Sequence, residues 1–260
     1  VKSRYSLRII LQAQKERVYS TKFELIPNIK EADMRLEELN WMDVENYLKT
    51  DDRIMVVLGA CEQHAYLSLL TDVKIPMALA DAASQESGVL VGPPVNFGVS
   101  PYFMDYPGTI SLRVNTLLDV VEDYLTSLYQ HGFRRILILN GHGGNEPARG
   151  RISEICNRYD DLNVIWYSWW TSHSVEQVAV GHQLKPNHAN WLEAFPFVRV
   201  AELPENPKTP PHYQGLMGAK QMRTVFGDGS FGGEYVVGDE IMNELFYAAY
   251  EDVLHYLKFE

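Results

Sequence analysis

The sequence predicts an α/β fold in which a mostly parallel β-sheet carries helices on both faces. Two observations predict it. Arg53 to Gly59 and Arg135 to Asn140 are continuous apolar runs of strand length, the pattern of strands covered on both sides. Stretches of helix length separate such runs, and an order of helix, strand, helix, strand implies right-handed parallel crossovers.

Residues 1–38 are less regular and read as an N-terminal arm or added strand making a subunit contact, ahead of a main domain over 39–260. Asn40 to Leu48 places its apolar residues at helical spacing. After the Arg53 strand, Asp72 to Gln85 reads as a helix rich in Ala and Leu. Gly92 to Gly108, holding Pro93, Pro94, Pro101 and Pro107, is a long loop of the kind that serves a site or an interface. Asn115 to His131 is an amphipathic helix closed by Gly132. Arg135 to Asn140 is the strongest strand. Glu146 to Tyr159 is a helix and Asn163 to Trp169 a further strand. Pro204 to Pro211 contains four prolines and is a linker or surface loop, and Asp239 to Phe259 closes the chain as a helix.

Composition narrows the function. With 260 residues, 46% hydrophobic and 22% charged, the chain can build a sizeable core. A net charge of −11 and no Lys/Arg cluster give no electrostatic reason to bind nucleic acid or an anionic membrane. Two cysteines, Cys61 and Cys156, are too few for a disulfide framework and fit a cytoplasmic setting. No apolar run has the length of a membrane span. The stretch from Val1 to Gln14 lacks a small-residue cleavage site, so no signal peptide is expected there.

Three short segments carry the chemistry: Glu62-Gln63-His64 with Asp72, Asn140 to Asn145 (Asn-Gly-His-Gly-Gly-Asn), and His188-Ala189-Asn190-Trp191-Leu192-Glu193. Each puts carboxylate or imidazole groups near an expected strand end, and the third reads as loop passing into helix, with His188 and Glu193 only approximately on one helix side. Glu62, His64, Asp72, His142 and Glu193 form the mixed nitrogen and oxygen set that holds divalent zinc, manganese or iron. One carboxylate of the five can bridge two ions, which would share a hydroxide nucleophile. Glu62 and His64 are two apart, so in extended backbone both face one side, at the carboxyl end of the sheet where open α/β folds place ligands. His142 can ligate through one ring nitrogen while the other is oriented by an acceptor behind it. Backbone N–H groups near Gly143, Gly144 and Asn145 can face an oxyanion. His188 is then free to exchange a proton, and Trp170 and Trp191 can wall a pocket.

Each segment has a plainer reading. Asp72 can simply cap a helix, the glycine segment can be a tight turn or a phosphate cradle, His188 can be a surface residue and Glu193 a helix charge, and the tryptophans can be core. The spacing of a dinucleotide fingerprint or a P-loop is absent.

Taken together and in this order, the segments resemble the creatininase (creatinine amidohydrolase) family, from about residue 40 to residue 258. Tyr106-Pro107-Gly108-Thr109-Ile110 resembles the family's aromatic-Pro-Gly-Thr loop, and Val225-Phe226-Gly227-Asp228 its late Gly-Asp turn. The resemblance implies a three-layer αβα sandwich, one or two divalent ions (Zn, Mn or Fe), a homo-oligomer such as a hexamer, and hydrolysis of a cyclic or linear amide. It implies Glu62, Asp72 and His142 around one ion, His64, Asp72 and Glu193 around the other, and His188 as the acid/base histidine. The chain also departs from the family. Ala65-Tyr66-Leu67-Ser68-Leu69 replaces the usual Gly-Pro-His-Leu-Pro, with an interval one residue shorter. Asn190 replaces a glycine, and Ala194-Phe195 a Thr-Ser pair. Gly144 stands where true creatininases carry a metal-binding Glu, so creatinine itself is not the expected substrate. Two alternatives stay open: ring opening of a cyclic diketone such as a dehydro-inosose, and a non-catalytic member that kept the fold.

Overall fold

The computed structural model describes residues 34–260. Its strands are β1 Arg53–Leu58, β2 Leu90–Val91, β3 Arg135–Asn140 and β4 Asn163–Ser168. They form one parallel sheet in the order β2-β1-β3-β4. The helices are α1 Trp41–Tyr47, α2 Thr71–Ser87, α3 Val114–His131, α4 Ala148–Arg158, α5 His173–Gly181, α6 Ala219–Phe226 and α7 Asp239–Tyr256.

Strand alternation divides the core in two. Met55, Val57, Leu137 and Leu139 pack with α2, α5 and α7 on one face. Ile54, Val56, Leu58, Ile136 and Ile138 pack with α3 and α4 on the other. Both faces of β1 and β3 are thus buried, which is why these strands read as unbroken apolar runs. The result is the three-layer αβα arrangement. Leu58 and Asn140, the last residues of β1 and β3, lie opposite each other in register, so the segments that follow both strands leave the sheet side by side.

Local signals account for most boundaries. Asn40 and Asp43 form a reciprocal capping box at the start of α1, and Gly132 ends α3 in the left-handed region at φ 110°. The helix expected from Glu146 begins later, because the chain first makes a 3-10 turn over Gly143–Asn145 and then passes through Pro147. The helix expected to reach Phe259 ends at Tyr256. β2, α5 and α6 were not expected. β2 is two residues long and has no periodicity to read. α5 is one short amphipathic stretch, held by the Ser172 side chain accepting from the Val175 N–H and by burial of Val175, Val178 and Ala179. The expected N-terminal arm lies outside the described residues except for 34–38. There Arg35 makes a parallel bridge to Val91 and an ion pair with Asp81. No helix among the described residues is long and apolar enough to cross a membrane.

Ile138 is fully buried at the sheet centre, whereas Val180 is 61% exposed. Ile138→Ala is expected to cost about 2–5 kcal/mol and Val180→Ala within about 0.5 kcal/mol. Urea unfolding curves of the two variants check this.

Candidate metal centre

The centre is built where β1 and β3 end. The Gly141 N–H donates to the Leu58 carbonyl at 2.9 Å and ties the two exits together. The first turn of α2 then presses onto both. Pro76, inside α2, has no N–H to return to the Asp72 carbonyl, and that carbonyl lies against Gly59 and Gly141. A Cβ at residue 141 would overlap the Asp72 carbonyl oxygen, so only glycine allows this approach. Asp72 sits in the first turn of a 17-residue helix, where the helix dipole favours a negative charge.

The five expected ligand side chains come together in two buried groups that share Asp72: Glu62, Asp72 and His142, and His64, Asp72 and Glu193. Within each group the donor atoms lie within 4.8 Å of one another. His64 Nε2 is 2.9 Å from Asp72 Oδ1 and 3.6 Å from Glu193 Oε1. His142 Nδ1 is 3.0 Å from Asp72 Oδ2 and 3.4 Å from Glu62 Oε1. Each imidazole turns its other nitrogen to a backbone carbonyl: His64 Nδ1 to Glu62 at 3.2 Å, His142 Nε2 to Val99 at 3.0 Å. A carbonyl only accepts, so each ring places its N–H there and directs a lone pair at the carboxylates. Glu193 is aimed in the same way, its Oε2 accepting the Ala189 N–H at 2.6 Å.

Lone pairs that face carboxylates at this distance need a cation between them. Among the described residues Oε2 of Glu62 and, with His142 Nδ1 unprotonated, Oδ2 of Asp72 are buried without a hydrogen-bond partner, a costly state unless something positive completes them. The donor set of two imidazoles and three carboxylates therefore fits one or two divalent ions. Without metal, protons serve. Burial opposes protonation of His64 and His142, but nearby carboxylates, Asp72 and Glu193 for one and Glu62 and Asp72 for the other, hold both well above the ordinary imidazole value. Burial likewise works against ionised Asp72, yet His64 and His142 keep its carboxyl far below the usual range.

A cavity of about 430 Å³ opens onto the centre. Glu62, Asp72, His142 and Glu193 line it with Gly143, Gly144, Trp170 and His188, as do Tyr102, Phe103 and Phe231. His188 Nδ1 is 3.9 Å from Glu62 Oε1. Burial, and then the charge of His64, pushes the His188 imidazole down to about 4, so it is neutral near pH 7.

Two expected pocket residues lie elsewhere. Trp191 is fully buried in the core cluster on the α2, α5 and α7 face of the sheet, and its Nε1 donates to the Lys185 carbonyl. Its ring is drawn inward by apolar burial. Asn145 turns under the strand ends, donating to the Gly59 carbonyl and to Asn140 Oδ1, and braces the loop from behind. His188 and Glu193 sit on no common helix, because only a 3-10 turn over Trp191–Glu193 forms there. Sequence reasoning gave no role to Gln63, Val99, Phe103 or Phe231. The long proline-rich loop signalled Val99 and Phe103 in general terms. Phe231 lies too far along the chain from the other segments to carry any signal.

The family model described as creatininase, creatinine amidohydrolase, matches residues 37–257. The chain belongs to the creatininase family. It is 31% identical over 164 residues to the creatinine amidohydrolase of Pseudomonas putida, covering 57% of this chain and 62% of that protein. It is 32% identical over 120 residues to the mycofactocin precursor peptide peptidase of Mycolicibacterium smegmatis, covering 44% and 48%. A third relative, the 3-dehydro-scyllo-inosose hydrolase of Thermotoga maritima, is 25% identical over 109 residues, covering 41% and 35%. The chain thus spans less than two thirds of the length of these relatives. A solved creatininase structure with Mn superposes with a TM-score of 0.72 at 22% identity, covering 87% of this chain and 98% of that one. One of Zn–Zn type gives 0.71 at 21%, with the same coverage. These likenesses show that the creatininase fold is shared.

The proton-held state gives a signed pH dependence for the metal-free protein. The raised imidazoles contribute stability that is whole below about pH 6.5 and is lost as pH climbs through their folded-state values, while the contribution of Asp72 is lost on acidification below about pH 4. In metal-free protein the contribution of these three groups to stability is therefore expected to be greatest between about pH 4 and 6.5. Zinc competes for the same lone pairs, so zinc-loaded protein should gain stability over metal-free protein as pH rises. Urea midpoints across this range, with and without zinc, check both signs.

Proposed function

We propose that this chain is a metal-dependent hydrolase that cleaves the C–N bond of a cyclic or linear amide other than creatinine. The observation that carries the reading is the pair of buried donor groups sharing Asp72 at the floor of an aromatic-walled cavity. Glu62, Asp72 and His142 would hold one ion, and His64, Asp72 and Glu193 a second, with Asp72 bridging. Ions bound there supply a hydroxide at neutral pH and a Lewis acid for a carbonyl.

The chain's own residues do the remaining work. Phe103, Phe231 and Trp170 exclude water and offer faces to a planar amide. Gly143 and Gly144 line the same cavity and offer backbone N–H groups to a developing oxyanion. His188 is the proton-exchanging group beside Glu62. Among the described residues no Lys or Arg lines the cavity, which favours neutral or cationic substrates over anions. At residue 144 a Cβ would overlap the Val99 carbonyl oxygen, so no carboxylate can enter the centre from that position, and this supports a substrate other than creatinine. The short interval between His64 and Asp72 still leaves their side chains 2.9 Å apart, with Ala65 in the left-handed region at φ 49°. That weighs against a non-catalytic member. A second reading, ring opening of a cyclic diketone, is favoured by the Thermotoga maritima relative and uses the same electrophilic site. A cytoplasmic homo-oligomer, a hexamer by the family resemblance, completes the proposal, and sedimentation velocity measures the oligomeric part.

Chelation is expected to abolish turnover and re-addition of zinc or manganese to restore it. Asp72→Asn should lose both ions by elemental analysis, since both donor groups include Asp72. His188→Gln should keep the metal and lower kcat by about 10²–10⁴-fold. Assays on a cyclic amide, a short peptide and a cyclic diketone choose between the readings. Turnover of the diketone alone defeats the amide proposal, and undiminished turnover by metal-free protein defeats metal dependence.

A further inference from the structure

We propose that Gln63 is a positioning residue that fixes the tautomer of His188, placing its single proton on Nδ1 and presenting His188 to the cavity as a hydrogen-bond donor. The role of His188 in this statement rests on the hydrolase reading; the tautomer itself does not.

Hydrogen-bond logic carries the assignment. The Gln63 side chain is 4% exposed and has three partners. Its Oε1 accepts the backbone N–H of Ala65 at 3.1 Å, and a backbone N–H can only donate. Its Nε2 donates to the Gly229 carbonyl at 3.1 Å, and a carbonyl can only accept. Both ends of the amide are therefore assigned, with no freedom to flip. The same Nε2 lies 2.9 Å from His188 Nε2. Facing an amide N–H, that ring nitrogen must offer its lone pair, so a neutral His188 carries its proton on Nδ1. Nδ1 faces Glu62 across the cavity.

The surroundings hold this geometry. Phe103 stacks on the His188 ring at 4.8 Å and 11°, and Phe231 meets it at 5.0 Å, so the ring cannot turn over without unpacking both. The Thr109 hydroxyl accepts the Gln63 backbone N–H at 3.1 Å. Gly229 adopts φ +100°, and a Cβ there would overlap Gln63 Oε1. The turn carrying it is clamped by Lys208, which bonds Asp228 and the Phe226 and Ser230 carbonyls, and by Tyr235, which bonds Asp228. Glu62, His64 and His188 also bring donor atoms within 4.8 Å of one another, but a protonated Nδ1 offers no lone pair and Nε2 gives its own to the Gln63 N–H. His188 is thereby kept out of the ligand set.

Nitrogen-15 NMR of histidine-labelled, zinc-loaded protein tests this, with His188 assigned by its loss in His188→Gln. His188 Nδ1 should be the protonated nitrogen and Nε2 the unprotonated one. In Gln63→Glu the carboxylate accepts instead of donating, and the proton should move to Nε2. In Gln63→Met, which removes the donor, the two tautomers should mix. Zinc content should be unchanged in all three variants. A wild-type His188 protonated on Nε2, or a tautomer unmoved in both Gln63 variants, overturns the proposal, as does loss of bound zinc in His188→Gln. Wild-type protein that binds no zinc yet shows the Nδ1–H tautomer would defeat the hydrolase reading and leave this one standing.

Discussion

Three carboxylates and two imidazoles buried together at the end of a sheet set the central constraint on this molecule. A buried carboxylate without a partner is expensive, and here Glu62 and Asp72 each leave an oxygen unpartnered. The imidazoles do not relieve them with their N–H groups, because backbone carbonyls already take those. The cluster is consistent only with positive charge at its centre, whether protons on His64 and His142 or divalent ions. Much of the surrounding architecture serves to keep it in that frustrated state.

The frame does this by stiffness and close approach. β1 and β3 are buried on both faces, and their register fixes where each exit segment begins. α2 lies directly on those exits because glycines at residues 59 and 141 leave room for its first turn. Two non-glycine residues, Ala65 and Ala189, adopt left-handed backbone beside the centre, at φ 49° and 52°. Each costs roughly 1 kcal/mol or more. Each also aims its N–H at a side chain that matters: Ala65 at Gln63, Ala189 at Glu193. Strain at these two turns is exchanged for the orientation of one carboxamide and one carboxylate.

The centre also divides labour between rigid and variable parts. The ligands come from strand exits, a helix start and one braced turn. The cavity walls come from the Pro101–Phe103 turn, Trp170 and Phe231, all in connecting segments. Segments of that kind can change shape without disturbing the ligands, which accords with relatives whose names point to three different substrates.

Much of this was legible in the chain itself. The apolar runs marked β1 and β3 because strands covered on both faces leave no polar positions. The order of elements then fixed a parallel sheet. The residues brought together as candidate ligands were readable because Glu62 and His64, and the glycines flanking His142, are local patterns. What the tertiary structure decided was everything that depends on distant residues meeting. Trp191 and Trp170 are equally aromatic, yet one is core and the other faces the cavity, a choice made by which side of the packed layers each ends on. Asn145 sits in the same glycine segment as His142 but turns behind it. The contact between Gln63 and His188 joins residues 125 apart, with Phe103 and Phe231 packed on the imidazole and Gly229 on the carboxamide. Sequence patterns report short-range geometry; the tautomer of an imidazole depends on which atom of a remote side chain folding brings beside it.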